Sequence, residues 1–146
     1  MRGGKFVYSV VMVALMVFAF AFVVIAADKG PDTITLKSKL WATPTKAPVE
    51  FTHKKHYEDL KIACAECHHV MKDGKNVWKE GDKVQKCEEC HTEPTVTAEK
   101  KLPPDQQKLN LKIAFHDNCL GCHQKTKKDK PDTKAPVTCA ACHPGK

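Results

Sequence analysis

The chain of 146 residues has few of the side chains that form an ordinary hydrophobic core. Residues 28–146 contain five aromatic side chains and few long apolar runs. Ordering a backbone costs about 1–2 kcal/mol per residue, and so short a chain gains little from burying its own apolar surface. This shortage excludes more than one small domain and predicts that residues 28–146 need a bound group in order to fold.

No cysteine is left over from a single repeated motif. Cys-x-x-Cys-His occurs four times, at residues 64–68, 87–91, 119–123 and 139–143. This spacing is the signature of covalent c-type haem attachment, because two thiols add to the two vinyl groups on one edge of a porphyrin and the histidine then lies under the iron as an axial ligand. The motifs predict four haems attached through Cys64, Cys67, Cys87, Cys90, Cys119, Cys122, Cys139 and Cys142.

Chance does not account for four motifs, since a random ordering of this composition gives roughly 0.02 copies of the pattern read as haem attachment. A zinc site is one alternative, because paired Cys-x-x-Cys motifs and histidine form tetrahedral zinc centres. Zinc does not require a histidine directly after every second cysteine. Disulfide bonds are a second alternative for an even number of cysteines in an exported chain, but they leave the four adjacent histidines unexplained.

Axial ligands other than histidine are scarce. Haem iron takes two axial ligands, usually His, Met, Cys or Tyr, and outside the N-terminal apolar segment the chain has one methionine, Met71, and one tyrosine, Tyr57. Beside the motif histidines His68, His91, His123 and His143, the chain has one further histidine per motif, namely His53, His56, His69 and His116. We therefore predict two histidine ligands on every iron. A solvated or hydrogen-bonded histidine is the alternative at each of these positions.

The first 27 residues are predicted to direct export. Arg2 and Lys5 precede an apolar stretch at residues 6–27, which ends in Ala26 and Ala27. These features are typical of a signal peptide, although the stretch also reaches the about 20 residues of a membrane-spanning helix. Cleavage is the first prediction, and a retained anchor in the inner membrane is the alternative. Both place the rest of the chain outside the cytoplasm, where haem c is attached.

Positive charge is concentrated in the second half of the chain. The net charge is +7. Residues 28–99 have one acidic side chain more than they have lysines, whereas residues 100–146 have an excess of six lysines. An exported haem protein meets no nucleic acid, so the basic half predicts an acidic protein partner or an anionic membrane surface.

The patterning predicts a small, mostly irregular and α-helical fold that depends on haem, with a short N-terminal β-hairpin and few short helices around four haems. Residues 28–50 are expected to form an arm, with a strand in the alternating run at residues 33–37. Residues 51–146 are expected to form the tetrahaem domain.

Two segments near the first motif have clear local signals. Residues 51–59 are predicted to be helical or turn-like, which places His53 and His56 on one side of a helix. After the motif, Asp73-Gly74 predicts a surface loop or loose hairpin within residues 72–86.

In the second half, a linker over residues 92–104 is expected to lead into a helix. That helix is predicted to start at Pro103-Pro104-Asp105 and to run into His116. The lysine-rich residues 124–138, which contain two prolines, are predicted to form an exposed loop.

The segment before the first motif and the order of the histidines are characteristic of one known family. Residues 47–56 read Ala-Pro-Val-Glu-Phe-Thr-His-Lys-Lys-His, and the first motif is followed directly by His69. Three more motifs follow, with the single His116 shortly before the third. Over residues 47–146 this order resembles the class III multihaem cytochromes c, specifically the tetrahaem cytochrome c3 family of sulfate-reducing bacteria.

The resemblance implies an axial pair for each haem: His68 and His53 for haem I, His91 and His69 for haem II, His123 and His56 for haem III, and His143 and His116 for haem IV. It also implies that Phe51 packs between haems. The covalent geometry independently supports one assignment, because His69 cannot reach the far face of the haem held by its neighbour His68.

The resemblance implies electron transport rather than catalysis. The expected protein is a periplasmic, low-potential tetrahaem carrier of anaerobic sulfate respiration, which accepts electrons from hydrogenase and passes them to a membrane cytochrome complex. Docking is expected near haem IV through Lys125, Lys127 and Lys128. A membrane-anchored redox subunit of a quinone-linked complex and a multihaem reductase with one open haem are the alternatives.

Overall fold

The computed structural model of this chain describes residues 29–145. The predicted signal peptide or membrane anchor at residues 1–27 lies outside the described residues. From Pro31 onward the chain forms one unit of short helices and strands joined by irregular segments, which confirms the predicted fold class. None of the helices between residues 29 and 145 has both the length and the apolar composition needed to cross a membrane.

Two strands connect the arm to the segment that contains the upstream histidines. Strand β1 (Ile34–Leu36) pairs antiparallel with β2 (Val49–Phe51), and Ile34 is the partner of Phe51. The two apolar side chains of β1 are half-buried, while Thr35 between them is exposed. The strand predicted in this part of the arm is therefore confirmed, and its alternation is that of a strand with one buried face.

The segment after β2 is helical, as predicted, but its hydrogen bonds span more residues than those of an α-helix. A helical turn that begins at His53 continues as a π-helix over Lys55–Asp59. The Leu60 N–H donates to the carbonyl of Lys55, five residues earlier, at 3.0 Å. Single π-turns are rare in proteins, but those that occur often lie at functional sites. This one contains His56.

A hairpin follows the first motif. Strand β3 (Met71–Lys72) pairs antiparallel with β4 (Lys75–Asn76). Both residues of the connecting turn, Asp73 and Gly74, have left-handed backbone conformations, with φ of 50° and 75°. Turns of this kind match the twist of a two-residue hairpin. The predicted hairpin is therefore confirmed at this turn.

The second half of the described chain is mostly helical. From the second motif onward the helical segments are α1 (Cys87–Cys90), a 3₁₀ turn at Glu99–Lys101, α2 (Pro104–Leu109), α3 (Leu111–Phe115), a π-helix at His116–Gly121, α4 (Cys122–Asp129) and α5 (Cys139–Cys142). Pro104 begins α2, as predicted, because its fixed φ suits the first helical position. The helix does not run unbroken to His116, since Asn110 between α2 and α3 is extended, with ψ of 121°.

The exposed loop predicted for residues 124–138 is wrong in its first part. Residues 124–129 belong to α4, which ends at Asp129. Lysine and glutamine are good helix formers, so α4 continues past the third motif until the chain approaches Pro131. The lysines of α4 are exposed, as expected of the loop.

Very little of the described chain is buried in protein. Among residues 29–145 the buried apolar side chains are Trp78, with 8% of its surface exposed, and Leu111, with none exposed. Asn110 is the buried polar residue of the same range. Two apolar side chains make too small a core for a domain of about 100 residues, in agreement with the shortage of apolar residues in the sequence.

Candidate haem-binding site

Each Cys-x-x-Cys-His motif forms a helical turn, although the turns differ in type. The first lies in a 3₁₀ turn at Cys64–Glu66, the second and fourth contain α1 and α5, and the third begins in the π-helix and ends in α4. In the first, second and fourth motifs the histidine N–H donates to the carbonyl of the first cysteine, at 2.9, 2.8 and 2.8 Å. Positions i, i+3 and i+4 share one side of a helix, so the turn presents two thiols and one imidazole together.

None of the eight cysteines forms a disulfide bond. Protein atoms around the sulfur of Cys119 remove water and raise its pKa to about 11, although the residue as a whole is exposed. The same desolvation raises the pKa of Cys67 and of Cys87. The charges of both groups also contribute to the raised pKa of Cys119.

Three histidine pairs have the spacing that a shared metal ion requires. The ring centroids are 6.2 Å apart for His53 and His68, 6.1 Å for His56 and His123, and 6.0 Å for His69 and His91. A metal-bound imidazole nitrogen lies about 2.0–2.1 Å from its metal, which puts the centroids of two rings on opposite sides of it roughly 6 Å apart. Each pair combines one motif histidine with one histidine outside the motifs.

Of the remaining two histidines, His143 affects the pKa of His116. Burial lowers the pKa of His116, and the positive charges of Lys112 and His143 lower it further. Glu99 acts in the opposite direction. Burial is also the first cause of the lowered pKa of His68. Both shifts favour the neutral imidazole, which is the form that binds a metal.

Backbone carbonyl groups fix the tautomer of five imidazoles. The Nδ1 to oxygen distances are 3.2 Å for His53 and Pro31, 2.8 Å for His56 and Thr52, 3.0 Å for His91 and Lys108, 2.9 Å for His123 and Pro136, and 2.7 Å for His143 and Ala47. A carbonyl oxygen only accepts, so Nδ1 carries the proton and Nε2 keeps its lone pair. Metal-bound histidines commonly have this arrangement, which orients the ring and raises its basicity. These side chains therefore fit iron bound through Nε2.

Aromatic side chains contact the histidines near the first motif. The ring of Phe51 lies 4.7 Å from that of His56 and 5.8 Å from that of His53. Trp78 lies 5.1 Å from His68, with the ring planes tilted by 31°. Its Nε1 atom is buried and has no hydrogen-bond partner among the described residues. Phe51 thus contacts both upstream histidines, and Trp78 covers one face of a motif histidine.

The side chain of Asn76 shapes the first site, although no sequence pattern singles this residue out. Its Oδ1 atom accepts from the N–H groups of Val70 and Trp78, at 3.0 and 3.1 Å. Its Nδ2 atom donates to the carbonyl oxygens of Ala65 and His68, at 3.3 and 3.1 Å. Asn76 therefore connects the hairpin to the first motif and brings Trp78 to His68. Asparagine is common near turns, so its sequence position alone carried no distinct signal.

The lysines near the third motif differ in exposure and in their contacts with the rest of the protein. The three lysines predicted to dock a partner are exposed on α4, namely Lys125, Lys127 and Lys128. Lys112, in α3, is held by the protein: its Nζ lies 2.9 Å from Oε1 of Glu99 and donates to the carbonyl of Val96 at 2.6 Å. Lys112 therefore connects α3 to the linker before it.

Comparisons with known proteins agree on one family. The Class III cytochrome C family matches residues 31–143. Cytochrome c3 of Maridesulfovibrio salexigens is 35% identical over 123 residues, 80% of this chain and 97% of that protein. Cytochrome c3 of Desulfovibrio desulfuricans is 31% identical over 122 residues, 79% of this chain and 96% of that protein. The sixteen heme cytochrome from Desulfovibrio gigas, a solved structure, has a TM-score of 0.44 and 26% identity, covering 79% of this chain and 19% of that one.

The protein is a multihaem cytochrome that transfers electrons and binds haem c covalently. Within that class the chain belongs to the class III cytochrome c family, as its resemblance to cytochrome c3 predicted. Between residues 29 and 145 no group of three or more His, Cys, Asp or Glu side chains is placed to hold a single metal ion. The motif cysteines and paired histidines instead fit the haem c of this family.

Proposed function

We propose that this protein carries four haem c groups, each with two histidine ligands, and serves as an electron carrier in the periplasm. The proposed axial pairs are His68 with His53, His91 with His69, His123 with His56, and His143 with His116, for haems I to IV in that order. The spacing of 6.0–6.2 Å between the rings of the first three pairs carries the proposal. The fourth pair is supported by the influence of His143 on the pKa of His116.

The other proposed contacts with haem come from cysteine and phenylalanine. Each motif would hold its haem through two thioether bonds, which use all eight cysteines. Phe51 would pack between haems I and III, because its ring lies beside His53, assigned to haem I, and beside His56, assigned to haem III.

The proposed ligands suit electron transfer rather than catalysis. Haem iron supplies a reversible one-electron couple whose potential depends on its axial ligands and their hydrogen bonds. With the proposed histidine pairs, imidazoles would fill both axial positions and leave none for a substrate. The carbonyl groups that accept from Nδ1 increase the basicity of the five rings they contact. Basic ligands favour the oxidised iron, and the protein is therefore expected to work at low potential.

The proposed cellular role combines the family with the predicted export of the chain. The carrier would accept electrons from a periplasmic hydrogenase and deliver them to a membrane cytochrome complex in anaerobic sulfate respiration. Residues 1–27 would act as a signal peptide that is removed. Retention of residues 6–27 would make the protein a membrane-anchored redox subunit instead.

The proposed docking surface consists of Lys125, Lys127 and Lys128 on α4. The first turn of α4 is near a proposed haem IV ligand, because Gln124 and His116 line the same cavity. The second motif has the opposite charge, with Glu88 and Glu89 inside it and Glu93 just after it. Their carboxylates accept from backbone N–H groups, namely those of Lys39, Lys86 and Thr95 in that order. A basic and an acidic region on one small protein orient it in the field of a partner and raise the association rate.

Intact mass and electron paramagnetic resonance of the native protein test the ligand proposal. The mass is expected to show four haems and no residues 1–27. Oxidised protein is expected to be entirely low-spin, because all irons have six ligands. A substantial high-spin component would contradict the proposal and favour a multihaem reductase with one open haem.

Replacement of single ligands tests the assignment of pairs. His69→Met is expected to raise the potential of haem II, because a methionine ligand raises haem potentials. His56→Met is the matched control and is expected to act at haem III. Nuclear magnetic resonance during a redox titration resolves the individual haems. A change centred on haem I in the His69→Met protein would show that the pairs are wrong.

Charge reversal tests the docking surface. Replacing Lys125, Lys127 and Lys128 with glutamate is expected to slow electron transfer from an acidic partner through association, and to leave the haem potentials nearly unchanged. The effect should weaken with salt, since charges are screened over about 8–10 Å at physiological ionic strength. The matched control reverses three exposed lysines near the hairpin, Lys72, Lys75 and Lys79. If both triple variants slow the reaction equally, α4 is not the docking surface.

A further inference from the structure

We propose that Asn110 is a positioning residue for the proposed haem II ligand His91, and that it acts by ending α2 at Leu109. The break makes the carbonyl of Lys108 available to Nδ1 of His91, at 3.0 Å. The inference rests on the proposed role of His91 as an axial ligand. It concerns a residue that binds no haem itself.

The break redirects two carbonyl groups that a continuous helix would use internally. In an α-helix each carbonyl accepts from the N–H four residues later, so the carbonyls of Lys108 and Leu109 would accept from Lys112 and Ile113. Here the Lys108 carbonyl accepts from His91, and the Leu109 carbonyl accepts from the Glu93 N–H at 3.0 Å. Both carbonyls at the end of α2 thus point to the segment of the second motif.

The side chain of Asn110 maintains the break. Asn110 has none of its surface exposed. Its Oδ1 atom accepts from the N–H of Ile113 at 2.9 Å and so caps α3, while its Nδ2 atom donates to the carbonyl of Thr95 at 2.8 Å. The side chain at position 110 must therefore both donate and accept a hydrogen bond, as an amide group does. Alanine supplies neither, and aspartate supplies the acceptor alone.

Main-chain bonds on both sides of Asn110 complete the connection. Glu93 and Asn110 form a parallel bridge, in which the Leu111 N–H donates to the Glu93 carbonyl at 3.1 Å. Glu93 lies two residues after His91, and Lys108 lies two residues before Asn110. The segment around Asn110 therefore binds the Nδ1 atom of the His91 ring and also the main chain two residues after His91.

Removal of this side chain favours a continuous helix through residues 104–115. Replacing an asparagine cap with alanine removes the acceptor for the first N–H groups of the helix, and alanine is itself the best helix former. Lys108 then gives its carbonyl back to the helix, and the Nδ1–H of His91 loses its acceptor. A less basic imidazole stabilises the oxidised iron less, so the potential of haem II rises.

The test compares Asn110→Ala with Asn76→Ala in the full holoprotein. Redox titrations followed by nuclear magnetic resonance are expected to show an upward shift of haem II in Asn110→Ala, with haems I and III unchanged. The exchange rate of the His91 Nδ1 proton is expected to increase in the same variant. Asn76 organises the first motif in the same way, so its loss is expected to act at haem I and to leave haem II unchanged.

The variant Asn110→Asp keeps the acceptor that caps α3 and loses the donor to Thr95. It is expected to raise the potential of haem II and to speed exchange of the His91 proton, by less than the alanine variant does, with haems I and III unchanged, and it decides the question if the alanine variant does not fold. An equal shift of all haems, or a loss of stability without change at haem II, would overturn the inference. If the His69→Met variant shows different axial pairs, the proposed function fails instead.

Discussion

The first and third motifs share one sequence pattern but lie in different surroundings. Around the first motif, residues 64–78 contain a 3₁₀ turn and a hairpin of two-residue strands, which the side chain of Asn76 connects. Around the third motif, residues 104–129 are a nearly continuous series of helices with Leu111 fully buried. The motif therefore determines one helical turn, and other residues determine the structure on either side.

The two regions also differ in how much apolar surface they bury in protein. In the first region Val70, Met71 and Val77 have 42%, 60% and 44% of their surface exposed. Local stability follows buried apolar contact. The hairpin region is therefore expected to open more readily than the helical region, and the predictions below test that difference.

The largest expected effect is loss of both regions when haem is not attached. A chain expressed without the attachment machinery is expected to lack a cooperative unfolding transition, because Trp78 and Leu111 are too small a core. Circular dichroism and limited proteolysis measure this against the holoprotein. Isolated helices shorter than about 12–15 residues are marginal in water. Weak helicity confined to residues 104–129 would therefore show that the helical region keeps more structure without haem than the hairpin region does. A folded haem-free protein would refute the prediction that folding depends on haem.

Truncation of Leu111 is expected to have the next largest effect. Leu111→Ala should lower the free energy of unfolding by about 2–5 kcal/mol, because it removes a fully buried side chain and leaves a cavity. Leu109→Ala is the matched control, since that side chain is 48% exposed, and its effect should stay within about 0.5 kcal/mol. Denaturant unfolding of the holoproteins measures both. Equal losses would mean that the burial of Leu111 does not stabilise the helical region.

Two glycines are expected to respond to alanine with opposite signs. Gly74 in the hairpin has φ of 75°, so Gly74→Ala should cost about 1–2 kcal/mol. Gly121 has helical φ of −58°, and the nearest atom to an added Cβ is the His116 carbonyl oxygen at 4.0 Å. Gly121→Ala should be neutral or stabilise by up to about 1 kcal/mol, and the fourth motif already has Ala141 there. Thermal unfolding that destabilised both variants alike would remove this difference between the regions.

The smallest effect is expected at the ion pair of the helical region. Lys112 is the first cause of the lowered pKa of Glu99. A lowered carboxyl pKa stabilises the fold above the usual value of about 4.3, and the stabilisation is lost as pH falls through the folded value. Glu99→Gln should cost about 1 kcal/mol at pH 7.

The control for this ion pair is Glu58→Gln, because the pair of Glu58 with Lys54, at 3.6 Å, is exposed and solvent screens its charges. Denaturant unfolding at several pH values measures the difference between wild type and each variant. For Glu99→Gln the difference is expected to close on acidification. A difference that is independent of pH would show that packing, rather than charge, is lost.

The sequence predicted the features that depend on neighbours along the chain. Asp73 and Gly74 determine a hairpin turn by their own backbone preferences, and Pro104 starts a helix for the same reason. The cysteine and histidine motifs predicted the haem family without any knowledge of the fold. Residues 51–59 were likewise predicted to be helical or turn-like, and a helical segment is found from His53 to Asp59.

One error occurs where a distant residue decides the local structure. An asparagine costs little inside a helix, so the break at Asn110 depends on its bond to Thr95, fifteen residues earlier. The extent of α4 was misjudged for a different reason. Pro131 restricts its own residue and the one before it, which leaves residues 124–129 free to follow their helical propensity.

The five acceptors that orient imidazole rings are main-chain carbonyls, and this has a consequence for mutational robustness. Every amino acid has that carbonyl, so a substitution at Pro31, Ala47, Thr52, Lys108 or Pro136 changes a side chain and leaves the acceptor in place. Such positions are therefore expected to tolerate drift for as long as the backbone path is kept. The path of the backbone therefore determines how the imidazole rings are oriented, and the residues that supply the carbonyl groups are free to change.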